Sequence, residues 1–273
     1  MSTAAVMADA AYQGEPGAYS EQAAWALVGR EAALMPCVSL ADVFAAVQTG
    51  RARTGVLPIE NSLAGTVPRA YELLLQHQLA AVGETLVHID HVLIGRPGTR
   101  LADVRRVLSH PVALDQCRRF IESRGVEATA VFDTAGAVSM VMGDETRTAA
   151  AVASRRAAEL YGGEILATGI QDSDENWTRF LLLRVRHSEM PARARKAILT
   201  FHLPHESGSL SRALQYVASE RLNLTKIESR PIHGRPFEYA FVIELTCEDR
   251  PDWPRWLDEL RSLTTELRWL GAW

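Results

Sequence analysis

The sequence predicts an α/β region followed by a smaller module of the ferredoxin-like class. From Tyr12 to about Arg186, short apolar runs alternate with helical segments, a pattern typical of α/β architecture. Residues 188–196 are polar and contain a proline, so they predict a linker. Residues 197–273 then follow the order strand, helix, strand, strand, helix, strand, which is a ferredoxin-like βαββαβ arrangement. We therefore expect a first domain over residues 1–187 and a second over 197–273.

Composition limits the classes of partner. The 273 residues suit two or three domains, and 47% are hydrophobic, which is enough to build cores. Lys and Arg total 29 against 33 Asp and Glu, and this balance argues against nucleic-acid and membrane partners. The 3 cysteines form no CxxC pair and so predict neither a disulfide nor a zinc site. Since no leader and no membrane-spanning stretch is evident, we expect a cytoplasmic protein.

The first clear βα unit lies between Arg51 and His77. Thr54–Pro58 reads as a short strand that ends at the proline, and residues 59–66 read as a polar loop. The helix that follows carries its apolar residues on one face. This unit places several polar side chains between the end of a strand and the start of a helix.

Three further βα units follow the same plan. Ligands of open α/β sheets bind at such strand-to-helix loops, because backbone N–H groups and helix dipoles favour anions there. The predicted strands are residues 106–109, 130–132 and 148–152. The first is followed by a turn at His110 and Pro111, and Asp133 and Ser154 are expected to open the helices after the other two.

The C-terminal module is defined best by residues 237–245, where aromatic and aliphatic residues alternate strictly with others. Gly208 precedes a helix with one apolar face. A second amphipathic helix carries Trp253 and Trp256 on its apolar side. Such a fold says nothing about function by itself.

Six short motifs follow one another along the chain: YQGEPGAYS (12–20), LPIENS (57–62), SHP (109–111), DTAGA (133–137), NWTRF (176–180) and ESRP (228–231). They resemble those of the prephenate dehydratase family, in the same order and at similar spacing. The last of them resembles the motif of an amino-acid-sensing ACT domain in those enzymes. The resemblance covers about residue 10 to residue 270, and six collinear matches are far more specific than one.

The resemblance implies a catalytic region of two α/β lobes, similar to periplasmic binding proteins, with the active site in the cleft, followed by an ACT domain. It also implies a lyase of phenylalanine biosynthesis that converts prephenate to phenylpyruvate with loss of water and carbon dioxide. No metal or organic cofactor is expected. Such an enzyme must hold a dianion, donate a proton to the departing hydroxyl and exclude water.

By the same resemblance, Thr178 and Arg179 are the expected catalytic residues. Thr178 stands where the family has its essential threonine, and its hydroxyl can hydrogen-bond the leaving oxygen and relay a proton. Arg179 can hold a carboxylate through two parallel donors, or it can form a structural ion pair with acidic residues just before it. The expected substrate-binding residues are Tyr19, Ser20, Asn61, Ser62, Ser109 and Phe180, the last as core or pocket wall.

The ACT resemblance implies a phenylalanine site between two copies of the chain, and hence a homodimer or homotetramer under feedback inhibition. One alternative is that Glu228 and Arg230 simply pair with each other. The expected effector-binding residues are Gly208, Ser209 and Leu210 from one copy and Glu228, Ser229, Arg230 and Pro231 from the other.

Two other functions stay open. The stretch around Ala18, Pro-Gly-Ala-Tyr-Ser, resembles plant enzymes that dehydrate arogenate, the amino analogue of prephenate. Because both halves of the chain resemble ligand-binding folds, a non-catalytic amino-acid sensor is the alternative from another class.

Overall fold

The structure is a computed structural model that describes residues 7–186, 193–232, 234–248 and 252–273. It divides into two compact units, Met1–Leu73 with Glu84–Leu182, and Leu74–Gly83 with Leu183–Trp273. Residues 188–192 of the predicted linker lie outside the described residues, and Lys196 already begins a strand. Among the residues described, no helix is both long and apolar enough to span a bilayer.

The strands are, in chain order, β1 (Ala8–Gln13), β2 (Leu34–Cys37), β3 (Ala52–Asn61), β4 (Gly65–Thr66), β5 (Leu79–His88), β6 (Val92–Gly95), β7 (Arg106–Ser109), β8 (Glu127–Ala130), β9 (Ala149–Ala153), β10 (Glu164–Ala167), β11 (Trp177–Val185), β12 (Lys196–His202), β13 (Asn223–Pro231), β14 (Tyr239–Thr246) and β15 (Glu266–Ala272). The α-helices are α1 (Tyr19–Val28), α2 (Leu40–Gln48), α3 (Pro68–Gln76), α4 (Pro111–Gln116), α5 (Arg118–Arg124), α6 (Thr134–Gly143), α7 (Arg155–Tyr161), α8 (Ser209–Ser219) and α9 (Trp253–Ser262).

The first unit contains two α/β lobes, each built on one sheet. In the first lobe the strands lie in the order β5-β11-β3-β1-β2, and β1 is parallel to both β2 and β3. The prediction that a strand ends at Pro58 is wrong, because β3 continues to Asn61. Its pairing with β1 stops at Val56, so the missing N–H of Pro58 breaks no ladder bond on that side.

The second lobe is built on a sheet with the order β10-β6-β9-β7-β8. Every residue of β9 is buried, because alternate side chains pack into apolar clusters on opposite faces of the sheet. The predicted strand 130–132 is wrong in position, since β8 ends at Ala130 and Phe132 is exposed. The partner strand β7 ends opposite Ala130 at Ser109, so the ladder has nothing further to pair with.

The second unit has the predicted βαββαβ order. Its strands lie in the order β13-β14-β12-β15, and those three pairings are antiparallel. Helices α8 and α9 cover one face, where Trp253 and Trp256 are almost fully buried. Beside β15 lies the first part of β5, with Gly271 paired to Ala81. A Cβ atom on Gly271 would stand 2.5 Å from the Ala81 Cβ, so only glycine permits this approach.

Candidate active site

The glycine-rich loop before α1 joins the two lobes of the first unit. The Ser154 hydroxyl, at the N-terminus of α7, donates to the Gly17 carbonyl at 2.7 Å. The Asp133 carboxylate caps α6 and also accepts from the backbone N–H of Glu15 at 3.0 Å. A Cβ on Gly17 would lie 2.9 Å from the Ala157 Cα, and Gly17 has φ +94°. The loop therefore depends on glycine to reach the second lobe.

The ends of three strands meet under this loop. Strand β7 is parallel to β8 and to β9, so their carboxyl ends share one edge of the sheet. His110, Asp133 and Ser154 cap the helices that start there, through side chains that accept backbone N–H bonds. The capping roles predicted for Asp133 and Ser154 are confirmed. Helix N-termini gathered at one edge favour an anion.

At the centre of the site, Asn61 at the end of β3 contacts Thr178 near the start of β11. The Asn61 side-chain Nδ2 lies 3.0 Å from the Thr178 hydroxyl oxygen, between residues 117 positions apart in the chain. The same nitrogen donates to the Asn176 side-chain oxygen at 2.8 Å and to the Trp177 carbonyl at 3.1 Å. The Asn61 oxygen in turn accepts the backbone N–H groups of Leu63 and Ala64.

These bonds settle the direction of the Thr178 proton. Because the Asn61 oxygen faces two backbone donors, its amide nitrogen must face Thr178, and the Thr178 oxygen is therefore an acceptor towards Asn61. The hydroxyl has one proton, which Asn61 leaves available for another acceptor. Asn61 is 9% exposed, so little water competes for its bonds. The pair thus presents an oriented hydroxyl donor.

Ser62 holds the turn after β3 against the chain that leads into β11. Its hydroxyl donates to the Glu175 carbonyl at 2.8 Å and accepts the Trp177 N–H at 2.9 Å. The Ser62 N–H donates to the Trp177 carbonyl at 2.8 Å. These backbone contacts position Thr178. They also use the proton of the Ser62 hydroxyl and one of its two lone pairs.

Arg179 lies on the opposite face of β11 from Thr178, as adjacent residues of a strand must. Its guanidinium donates to the Glu60 carboxylate at 3.0 Å and to the Glu84 carboxylate at 3.2 Å. These two carboxylates come from β3 and β5 rather than from the acidic residues just before Arg179. Arg179 therefore holds the Glu60 and Glu84 carboxylates on the face of β11 opposite the Thr178 hydroxyl.

Two polar residues that no motif indicated, Gln116 and His91, extend the hydrogen bonds beyond Asn61. The Gln116 side-chain nitrogen, at the end of α4, lies 3.4 Å from the Asn61 oxygen and so links the two lobes. The Gln116 oxygen lies 3.0 Å from Nε2 of His91. Gln116 stands seven positions after Ser109. It is the last residue of helix α4, and hydrophobic periodicity alone marks such a residue only as polar.

Tyr19 and Ser20 open helix α1 beside this network. The Tyr19 hydroxyl donates to the Asp90 carbonyl at 2.7 Å and lies 3.2 Å from Nδ1 of His91. Burial raises the pKa of Tyr19 well above its ordinary value, so the phenol stays protonated. Ser20 is half-buried in the first turn of the helix. Tyr19 therefore supports the site through its contacts with Asp90 and His91.

Ser109 and Phe180 are both buried. The Ser109 side chain is 0% exposed and donates to the Val152 carbonyl at 2.6 Å, which ties β7 to β9. Phe180 follows Thr178 on the same face of β11 and is 2% exposed. Neither side chain presents a polar atom to the cleft in this conformation, so Ser109 fixes the strand end and Phe180 packs beneath Thr178.

The residues expected to bind an effector lie in the second unit. Gly208 caps α8 with a left-handed backbone, φ 83°, and Ser209 and Leu210 form the first turn. Glu228 and Arg230 lie on one face of β13, where the guanidinium donates to the carboxylate at 2.6 Å. The pairing alternative is thus present, within one strand rather than between strands.

Known proteins resemble this chain over nearly its whole length. The sequence model of the prephenate dehydratase family matches residues 10–188. A relative from Arabidopsis thaliana, arogenate dehydratase/prephenate dehydratase 2, chloroplastic, is 41% identical over 96% of this chain and 71% of its own length. One from Komagataeibacter europaeus, a bifunctional N-acyl-homoserine lactone acylase/prephenate dehydratase, is 38% identical over 96% of this chain and 94% of its own.

A solved structure agrees with the fold. The prephenate dehydratase from Arthrobacter aurescens in complex with L-Phe has a TM-score of 0.86 and 29% identity, covering 97% of this chain and 89% of the other. This match confirms the predicted fold class, two α/β lobes of the periplasmic-binding-protein kind together with a C-terminal ferredoxin-like module.

Proposed function

Because this chain belongs to the prephenate dehydratase family, we propose that it converts prephenate to phenylpyruvate, with loss of water and carbon dioxide, in cytoplasmic phenylalanine biosynthesis. The observation that carries the proposal is the contact between Asn61 and Thr178. Asn61 donates to the Thr178 oxygen at 3.0 Å, so the Thr178 proton can point at a departing hydroxyl. A hydroxyl bonded in this way is oriented before substrate arrives.

The substrate carboxylates need donors, and the helix N-termini at His110 and Ser154 supply backbone dipoles for them, whereas the Asp133 carboxylate itself occupies the N-terminus of α6. His110 can contribute only as a neutral group at neutral pH, since burial lowers its pKa. Arg179 keeps the Glu60 and Glu84 carboxylates paired behind the site. This pairing limits the repulsion that two bare carboxylates would exert on a dianion.

Arogenate is the second candidate substrate. The relatives from plants carry arogenate dehydratase in their names, and the Pro-Gly-Ala-Tyr-Ser stretch around Ala18 favours the same reading. Prephenate and arogenate differ at the side chain, keto in one and amino in the other, whereas the ring hydroxyl that leaves is common to both. The Thr178 role therefore holds for either substrate.

Turnover of prephenate and of arogenate, measured in parallel on purified protein, tests the proposal. We expect Thr178→Val to lower kcat roughly 10²-fold or more, because the positioned donor is lost, while Thr178→Ser keeps most activity. Thr225→Val, at an exposed threonine of β13, is the matched control and should leave kcat unchanged. Near-normal turnover by Thr178→Val would remove Thr178 from the reaction, and no turnover of either substrate by wild type would favour the sensor.

We further propose feedback inhibition by phenylalanine bound between two copies of the chain. Gly208, Ser209 and Leu210 offer backbone N–H groups at the start of α8. Glu228 to Pro231 would approach from the partner copy. The Arthrobacter structure holds L-Phe, and that binding is proposed here for this chain by similarity. A dimer or tetramer in solution, seen by light scattering with and without phenylalanine, is the corresponding expectation.

A further inference from the structure

His91 is a buried histidine that the chemistry described above does not use. It lies between β5 and β6, where the chain passes from one lobe to the other, and it is 2% exposed. Its Nε2 lies 3.0 Å from the Gln116 side-chain oxygen, and its Nδ1 lies 3.2 Å from the Tyr19 hydroxyl. Both ring nitrogens therefore have a partner, one from each lobe.

The orientation of the Gln116 amide follows from the Asn61 amide. The Asn61 oxygen already accepts from the N–H groups of Leu63 and Ala64, so it can only be an acceptor towards Gln116. The Gln116 nitrogen must then face Asn61, and the Gln116 oxygen must face His91. An acceptor at this place requires a proton on Nε2 of His91.

The other ring nitrogen of His91 then carries no proton when the ring is neutral. Burial lowers the pKa of His91, although the bond to Gln116 and the charge of Asp90 oppose this. The Asp90 carboxylate is paired with the Arg155 guanidinium at 3.0 Å, which weakens its pull on a second proton. Nδ1 faces the Tyr19 hydroxyl at 3.2 Å, and that hydroxyl donates to the Asp90 carbonyl at 2.7 Å.

We propose that His91 is a positioning residue for dehydration, whose Nε2–H fixes the Gln116 oxygen so that Gln116 keeps its amide nitrogen turned towards Asn61. The effect reaches Thr178 through Gln116 and Asn61, without contact between His91 and substrate. If the Nε2 proton is lost, the Gln116 oxygen loses its donor. The amide is then free to turn its own oxygen towards Asn61, where two acceptors would repel each other.

Kinetics on four variants test the route, and this part rests on the proposed function. His91→Leu should lower kcat roughly 10- to 10²-fold with a smaller change in KM, as expected when Gln116 and Asn61 are misplaced. His91→Gln, which keeps a donor near the Nε2 position, should restore kcat to within about threefold. In a Gln116→Ala background, His91→Leu should change kcat less than about twofold, because its target is gone.

Two kinetic outcomes would overturn the proposal. Equal losses in His91→Leu and His91→Gln would mean that the donor is irrelevant and only ring packing matters. A full His91→Leu effect in the Gln116→Ala background would mean that His91 acts by another route. Melting temperatures of all four proteins establish that each is folded at the assay temperature, so that kcat reports positioning.

A second measurement does not depend on turnover. Nitrogen NMR of protein labelled at histidine, with the His91 signal identified by its loss in His91→Gln, should show a neutral ring protonated at Nε2 near pH 7. Gln116→Ala, which removes the acceptor of the Nε2 proton, should convert it to a mixture of tautomers. An Nδ1–H ring or an imidazolium in wild type would refute the assignment. If wild type turns over neither prephenate nor arogenate, the proposed function fails, while this reading still tests the His91 arrangement.

Discussion

Replacing Asn61 by aspartate is the sharpest perturbation of the site, because it exchanges one nitrogen for oxygen and changes the shape little. The Nδ2 of Asn61 donates towards three acceptors, on Asn176, Trp177 and Thr178, at 2.8, 3.1 and 3.0 Å. In Asn61→Asp an oxygen takes its place. Three acceptors would then face another acceptor. The Thr178 hydroxyl has a proton to turn towards it, and the Asn176 amide, whose nitrogen is buried without a hydrogen-bond partner, can turn over to donate as well.

The magnitude follows from the bonds that are lost. Once Thr178 and Asn176 have turned their donors to the new carboxylate, the Trp177 carbonyl is the acceptor that loses this donor, at about 1–3 kcal/mol. We expect the free energy of unfolding to fall by about 1–3 kcal/mol, out of a typical total of 5–15 kcal/mol. The folded enzyme should also lose roughly 10²-fold or more in kcat, because Thr178 now donates to the new carboxylate instead of to the leaving oxygen.

Urea unfolding and steady-state turnover, measured on the same preparations, provide the assay. Asn223→Asp adds the same charge at an exposed position of β13 and should change stability by less than about 0.5 kcal/mol. In a Thr178→Val background, Asn61→Asp should reduce kcat by less than about threefold further, since both changes remove the same donor. Wild-type stability and wild-type kcat in Asn61→Asp would refute the orientation assigned to the Thr178 proton.

Three other changes have definite expectations. Gly17→Ala should destabilise by at least about 1 kcal/mol more than Gly29→Ala in urea unfolding, since both glycines have positive φ but only Gly17 would also meet Ala157; equal effects would show that no close approach exists. Burial raises the pKa of Cys117 to about 12, against about 8.5 in the unfolded chain. Above about pH 8.5 the unfolded thiol loses its proton while the folded thiol keeps it. The free energy of unfolding should therefore fall by roughly 2 kcal/mol between pH 8 and pH 10. Cys117→Ala should lack this slope in parallel unfolding curves. Arg230→Ala should weaken inhibition by phenylalanine several-fold in turnover assays while kcat stays near wild type, and unchanged inhibition would exclude Arg230 from the effector site.

The local signals in the sequence were sufficient for most of the secondary structure. Asp133 and Ser154 cap helices as their side-chain chemistry predicts, and alternation located β14 because one of its faces packs on helices. The errors lie at the ends of strands, where pairing with a neighbouring strand decides how far the strand extends. Pro58 looked like the end of a strand, yet it is tolerated because β3 has no β1 partner beyond Val56. Register between distant strands is not encoded in a short stretch of residues.

The candidate site was predictable only in part, for a similar reason. Motif resemblance selected Thr178 and Asn61, and the structure brings them together. The same resemblance grouped Arg179 with Thr178, whereas the pleat of β11 sends the two side chains to opposite faces. Gln116 and His91 had no motif of their own. Their importance comes from hydrogen bonds that cross between lobes, and only the folded chain reveals these bonds.

The placement of Leu74–Gly83 in the second unit bears on any attempt to cut the chain in two. Ala81 is paired with Gly271, and the Arg268 guanidinium donates to the Leu75 carbonyl at the end of α3. A truncation after residue 187 would strip these partners from a segment on the amino-terminal side of the cut. Loss of activity in such a fragment would then reflect an exposed, unpaired strand as much as a missing sensor. Point changes in α8 or β13 are therefore the cleaner way to separate regulation from catalysis.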